Sequence, residues 1–287
     1  MRPVPAVRAM ASRGITVRSK VGLVKNSIPF GDASAPFDAT LVSSQLAAQP
    51  VAWTLHWLPE VSSTQDLVRE AALARAAEGW TVVTDWQRQG RGRLGRQWVT
   101  VSGRDLLFSV LLRPGRQMLS LLPLLAGIAV AQGLEQGTDL PVDLKWPNDL
   151  LIDAKKVAGI LLEHGPDEVA ALGVGVNVNS GPGELPPQAI SAAIALGHPL
   201  RREALLVSIL KALGAALQRS RSEDRGWVVE TWRQRSSMLG SRVSYEQAGV
   251  VSAGVAEDLE DDGALRVRLE DGRVTRIYAG DVRLLRD

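Results

Sequence analysis

WQRQGRGRLGRQW, residues 86–98, packs three glycines and three arginines into the seven residues 90–96. Glycine inside a helix or strand costs roughly 0.5–1 kcal/mol relative to alanine, so this run reads as a loop. Its bare backbone N–H groups and guanidinium forks suit an anion. Residues 80–86 just before it, WTVVTDW, are β-branched and aromatic and read as a strand. The loop therefore leaves a strand end, where α/β proteins tend to bind ligands. Taken alone it could equally be a solvated basic loop or an RGG-type nucleic-acid contact; the choice rests on Lys145 and Lys156 further along.

The chain has 287 residues and is 45% hydrophobic, enough for a sizeable core and more than one domain. It has no cysteine, which excludes disulfides, thiolate chemistry and cysteine-held zinc. His56, His164 and His198 share no metal-ligand spacing. No apolar run reaches the roughly 18 residues of a membrane span. No signal-peptide core follows Arg2 and Arg8, so a cytoplasmic setting is expected. The formal charge of +2 is uneven: residues 1–50 carry six Lys/Arg against two acids, residues 239–287 seven against ten. No whole domain is strongly basic, so nucleic acid is not the expected partner. Only six of the 33 basic residues are lysine, which marks each lysine as a place where a point-charge amine is wanted.

Residues 1–50, rich in Pro, Ser, Ala and Gly, show no sustained periodicity and read as a loosely ordered tail, with a hairpin over 14–22 as the alternative. A strand over 52–58 precedes Ser62-Ser63-Thr64-Gln65-Asp66, whose hydroxyls and acid open a helix running to Glu78-Gly79. Such a start is either a plain cap or a set of donors for a ligand. Residues 105–112, DLLFSVLL, read as a strand buried on both faces. A long apolar helix over 118–135 follows, then a hairpin of 142–146 and 150–152 turned at Pro147-Asn148-Asp149, then strands over 155–163 and 169–178. Glycines at 90, 92, 159, 173 and 175 thin out three successive segments and suggest a slot for a flat ligand. Amphipathic helices over 201–219 and 224–235 come next. From Gly240, short alternating strands with Asp-Gly turns fit a small antiparallel barrel.

In order, the Ser63-Thr64 helix start, GRGRLGRQW at 90–98, KWPNDL at 145–150, KVAGILLE at 156–163 and GVGVNVN at 173–179 resemble the biotin protein ligase family. The resemblance runs from about residue 54 to the C-terminus. It implies an α+β fold, a mixed β-sheet flanked by helices of the class II aminoacyl-tRNA synthetase-like kind, with a C-terminal SH3-like β-barrel. The implied division is a basic N-terminal segment over 1–50, poorly ordered or a remnant wing, a catalytic domain over 51–238 and the barrel over 239–287.

The activity so implied is a ligase that forms biotinyl-5′-AMP from biotin and ATP with Mg2+, then hands the biotinyl group to a lysine of a biotin carboxyl carrier protein. By this likeness Ser63, Thr64, Gln65, Gln87, Gly90, Arg91, Gly92, Arg93, Lys156, Gly159 and Gly173 would meet biotin. Gln65 stands where many members have Asn. Arg93, Trp98, Lys145, Asn148 and Asn177 would meet the nucleotide, with Lys156, Arg91 and Arg93 catalytic. Asp149 is a candidate for Mg2+ or for the base of the transfer step, and otherwise the structural end of a turn. Attack of a carboxylate on an α-phosphate brings two anions together and needs positive charge above all.

Two other readings stand beside this one. A lipoate-type ligase shares the adenylate chemistry, but that family has a different Gly-rich loop followed by a histidine. A biotin-responsive DNA-binding regulator needs a recognition helix, and residues 1–50 are too short for a winged helix and show no helix–turn–helix pattern. A ligase without repressor function is expected, and a homodimer through the sheet edge stays open.

Overall fold

A computed structural model describes residues 36–165, 168–247 and 249–285. The hairpin alternative over 14–22 lies outside them, as does most of the N-terminal segment. The helices are α1 (Ala39–Leu46), α2 (Thr64–Leu73), α3 (Leu122–Thr138), α4 (Ala192–Leu196), α5 (Arg202–Ser222) and α6 (Gly226–Gln234). A main sheet holds β1 (Thr54–Val61), β2 (Trp80–Gln87), β3 (Leu106–Leu112), β4 (Asp143–Lys145), β5 (Asp149–Ile152), β6 (Lys155–His164) and β7 (Ala170–Val176). Its order is β1-β2-β3-β7-β6-β5-β4. The β1–β2 pair is parallel and the other pairs antiparallel, so the sheet is mixed.

Every residue of the central strands β3 and β7 is buried, as an unbroken apolar run predicts. Side chains alternate across a strand, and here the two faces have different tasks. Phe108, Val110 and Leu112 of β3, Leu172, Val174 and Val176 of β7, and Ile160 of β6 enter the main core. There α3, apolar on nearly all sides, packs between the sheet and α5. Gly133 makes this packing close: a Cβ there would lie 2.5 Å from Ile209 Cα of α5. On the opposite face α2 covers Val82, Leu111 and Ala171 with its Val68. The rest of that face carries the glycines.

Two expectations need correction. Residues 39–46, placed in a loosely ordered segment, form α1. Asp38 caps it by accepting from Leu41 N at 2.9 Å, and Val42 and Leu46 are buried. Two apolar residues one turn apart, in a helix of eight residues, are too short a pattern to stand out. The helix expected to reach Glu78-Gly79 ends at Leu73. Gly79 sits at φ +88, and a Cβ on it would lie 2.5 Å from Ala52 O. The chain must turn early to bring Gly79 against the start of β1.

The C-terminal residues form a five-stranded antiparallel sheet of β8 (Arg242–Gln247), β9 (Val250–Leu259), β10 (Leu265–Leu269), β11 (Val274–Ile277) and β12 (Val282–Leu284), ordered β11-β10-β9-β8-β12. β8 has no counterpart in the sequence reading. Val243, Leu259, Leu265 and Ile277 belong to the same contiguous core as the main sheet. The Trp146 indole N–H also donates to Gly263 O at 3.1 Å. The small sheet is therefore packed onto the large one, not tethered to it. No helix among the described residues is long and apolar enough to cross a membrane.

Candidate active site

Strand register builds the floor. Asp149, Gly159, Gly175 and Leu107 lie in one row across β5, β6, β7 and β3, and Leu161, Gly173 and Ser109 in another. These residues line a cavity of about 730 Å³, within the range of small-molecule sites. The Trp98 indole rests on the glycines: a Cβ at Gly159 would lie 2.9 Å from its Cζ3.

The basic loop forms the wall. Its arms pair through an Arg91–Gln97 bridge, with Gly92 N donating to Arg96 O at 2.7 Å and Trp98 N to Gly90 O at 2.9 Å. Gly90 does not line the cavity. A Cβ on it would meet Trp98 O at 2.6 Å, so its bareness lets the two arms close. Three carboxylates anchor the loop. Asp66 holds Arg91, Asp281 of the small sheet holds Arg96 at 2.5 Å, and Asp105 accepts from Thr100 Oγ1 at 2.5 Å. Asp105 is fully buried and also accepts from Val178 N and Ser180 Oγ.

One end of the cavity is a set of neutral hydrogen-bonding groups. Thr64 donates its N–H and its Oγ1–H to Gln87 Oε1, at 2.8 and 3.1 Å. An N–H donor requires the amide oxygen there, which fixes the orientation of Gln87. The single proton of Thr64 Oγ1 is thereby used, so Ser109 donates in their 2.7 Å contact. Gln65 Nε2 donates to Leu161 O and Ala171 O, at 3.3 and 3.2 Å. Gln65 Oε1 and Ser63 Oγ are buried without a protein partner. Left over for a ligand are donors on Gln87 Nε2 and Ser63, and acceptors on Gln65 Oε1 and Ser109. Buried polar groups of this kind are costly unless satisfied.

The other end is cationic. Lys156 Nζ lies 2.6 Å from Asp149 Oδ1 and 5.4 Å from the Trp98 ring centroid, and Lys145 Nζ is 3.7 Å from Asp149 Oδ2. Arg93 donates to Asn148 Oδ1 at 3.2 Å, and burial pulls its guanidinium below the usual arginine range. Asn148 itself is fixed by donating to Ile160 O at 2.7 Å. No group of three or more His, Cys, Asp or Glu able to hold a metal occurs among the described residues.

Of the residues singled out in the sequence, all but Gly90 line this one cavity. Two behave differently from expectation. The Arg91 guanidinium is engaged bidentately by Asp66, not left for a phosphate. Asn177 spends its amide donors on Lys156 O and Ile190 O, both at 3.2 Å, and serves as a brace. Gly175, one of the glycines read as a slot, lines the cavity too, and so do Ser109, Gln188, Asp281 and Arg283, which were not picked out as site residues. Ser109 had a signal, as the lone hydroxyl inside an apolar strand. Asp281 and Arg283 had none, because only the docking of the small sheet brings them there.

The cavity has neutral hydrogen-bonding groups at one end and cations at the other, on a mixed sheet with an appended small sheet, an arrangement suited to a small molecule with a polar ring and an anionic end. The chain belongs to the biotin protein ligase family: residues 57–179 match the biotin/lipoate A/B protein ligase family and residues 238–285 the biotin protein ligase C terminal domain. The biotin--[acetyl-CoA-carboxylase] ligase of Mycobacterium tuberculosis is 33% identical over 261 residues, 88% of this chain and 97% of the relative. The bifunctional ligase/repressor BirA of Bacillus subtilis is 32% identical over 234 residues, 78% of this chain and 72% of the relative. The biotin protein ligase from Aquifex aeolicus in complex with biotin and ATP superposes with a TM-score of 0.72 at 32% identity, covering 82% of this chain and 99% of that one.

Proposed function

We propose that this protein activates biotin as biotinyl-5′-AMP and transfers the biotinyl group to a lysine of a biotin carboxyl carrier protein. The observation that carries this reading is the hydrogen-bond polarity of the neutral end. A cyclic urea has one carbonyl acceptor and two N–H donors. Ser63 and Gln87 Nε2 are donors for the carbonyl, and Gln65 Oε1 and Ser109 Oγ are acceptors for the N–H groups. The dithiolane ring of lipoate has no N–H and no strong acceptor, and would leave these groups unpaired at a cost of about 1–3 kcal/mol each. Such a site rejects the analogue more strongly than an apolar pocket could.

With the ring so placed, the biotin carboxylate runs toward Lys156 and Arg93. In the first step a carboxylate oxygen bonds the α-phosphorus as pyrophosphate leaves. The nucleophile is already ionised, so no base is needed, and Lys156 and Arg93 act by positioning and charge stabilisation. In the second step the carrier amine bonds the acyl carbon, AMP leaves, and the amine gives up a proton. A single cavity carboxylate on the main sheet, Asp149, fits Mg2+ carried mainly by phosphate oxygens, not a metal in a protein cage. The ion would neutralise charge on the leaving pyrophosphate.

The test is pyrophosphate release with ATP and Mg2+, with biotin or lipoate as the acid, followed by transfer to an apo carrier domain. Release with biotin only, reduced about 100-fold or more in Lys156→Ala, is expected. Equal release with lipoate would overturn the polarity argument.

A further inference from the structure

The Arg91–Asp66 pair joins a lining residue of the basic loop to the first turn of α2. Arg91 Nη2 is 2.9 Å from Asp66 Oδ1 and Nη1 is 3.2 Å from Oδ2, while Nε lies 3.6 Å from Glu163 Oε1 on β6. Asp66 directly follows Gln65, so the carboxylate shares the first turn of α2 with Ser63, Thr64 and Gln65. Arg93, two residues beyond Arg91, is the loop cation that reaches Asn148 at the cationic end. One fork therefore joins the helix that carries the ring-reading groups to the loop that carries the anion-reading one. Bidentate pairing fixes direction as well as distance. Burial pushes the Asp66 carboxyl up, but hydrogen bonds from Arg91 and Arg69 outweigh it and hold the group ionised below its ordinary range.

We propose that Asp66 is a positioning residue for the adenylation step: through Arg91 it fixes the base of the basic loop and so aims Arg93 at the reacting phosphate. This rests on the ligase reading above. An acid in a helix's first turn is also favourable simply by opposing the helix dipole, and that role alone would leave turnover untouched. Arg69 pairs with Asp66 and, at 3.8 Å, with Glu163, the two carboxylates that also face Arg91, but lines none of the cavity. Arg69→Ala removes the exposed pairing and leaves the Arg91 fork in place, and is the control.

Asp66→Asn, Arg93→Ala, the double variant and Arg69→Ala are compared with the parent in biotin-dependent pyrophosphate release. Biotin binding without ATP is measured by calorimetry. In Asp66→Asn, kcat is expected to fall about tenfold, with biotin binding changed by about twofold or less. In the Arg93→Ala background the same substitution should have no further effect, and Arg69→Ala should match the parent. Parental kcat in Asp66→Asn, or an equal loss with and without Arg93, overturns the proposal. A separate readout is trypsin cleavage at Arg91, Arg93 and Arg96 in the ligand-free protein, expected to be several-fold faster in Asp66→Asn while Tm stays near the parent's. A parent that releases no pyrophosphate with biotin sinks the ligase reading. The anchoring is then judged by trypsin, and cleavage no faster than the parent's overturns it.

Discussion

The indole of Trp98 lies so close over Gly175 that a Cβ on that glycine would sit 2.5 Å from Cε2 and 2.7 Å from Cζ2. Gly175→Ala must therefore move the ring or the strand. Overpacking of this kind costs about 1–3 kcal/mol, which a urea titration would read as a lower midpoint. Lys156, with its amine near the same ring, should be disturbed too, so the KM for ATP is expected to rise. An unchanged midpoint would mean that the indole gives way freely.

Ser109 can only donate to Thr64, which keeps Thr64 turned toward Gln87. Ser109→Ala removes that donor and one acceptor from the neutral end. The KM for biotin should rise about tenfold, equivalent to roughly 1.4 kcal/mol, while the KM for ATP stays put. A parallel rise in both would point to a general loss of structure.

Arg96 and Asp281 join the basic loop to the small sheet, with the Arg96 side chain 59% exposed. Exposure limits the pair: a double-mutant cycle with Arg96→Ala and Asp281→Asn should give a coupling of about 0.2–1 kcal/mol, shrinking with salt. Burial pushes the Asp281 carboxyl up, but hydrogen bonds from Arg96 and Arg283 outweigh it and hold it below 3.8. A carboxylate lowered on folding contributes stability that is fully present above the unfolded value and lost as pH falls through the folded one. The Tm gap between parent and Asp281→Asn should therefore be steady near neutrality and close only below the ordinary carboxylate range.

Trp146 is buried at the seam of the two sheets, its N–H on Gly263 O. Trp146→Phe leaves that carbonyl unpaired and should cost about 1–3 kcal/mol. Because one core spans both sheets, far-UV circular dichroism and tryptophan fluorescence should report a single coincident unfolding transition. Two separate transitions would show that the small sheet folds on its own.

Much of this molecule can be read from local pattern. The apolar runs of β3 and β7, the Asp-Gly turns and the glycines at 92, 159, 173 and 175 all act within a few residues, and the structure places them as expected, whereas Gly90 closes the loop and does not line the cavity. What escaped depends on distance through the fold. α1 packs against α5 and β1 with Val42 and Leu46 buried, contacts made with distant parts of the chain. Nothing in GRGR shows that Asp66, 25 positions earlier, pairs with Arg91. The same holds for Asp281, which enters the cavity only by tertiary packing.

Six cations line the cavity: Arg91, Arg93, Arg96, Lys145, Lys156 and Arg283. Five of them already have a carboxylate within 4 Å, in Asp66, Asp149 or Asp281; Arg93 alone, among the described residues, does not. A triphosphate entering here does not fall into an open well of positive charge. On the proposed function it would meet Arg93 first, where no aspartate has to leave. It would then compete with Asp149 for the two lysines and with Asp281 for Arg96 and Arg283, while Asp66 keeps Arg91. Nucleotide affinity should then weaken with ionic strength far less steeply than six bare charges would require, and arrival should be governed by how readily those internal partners let go.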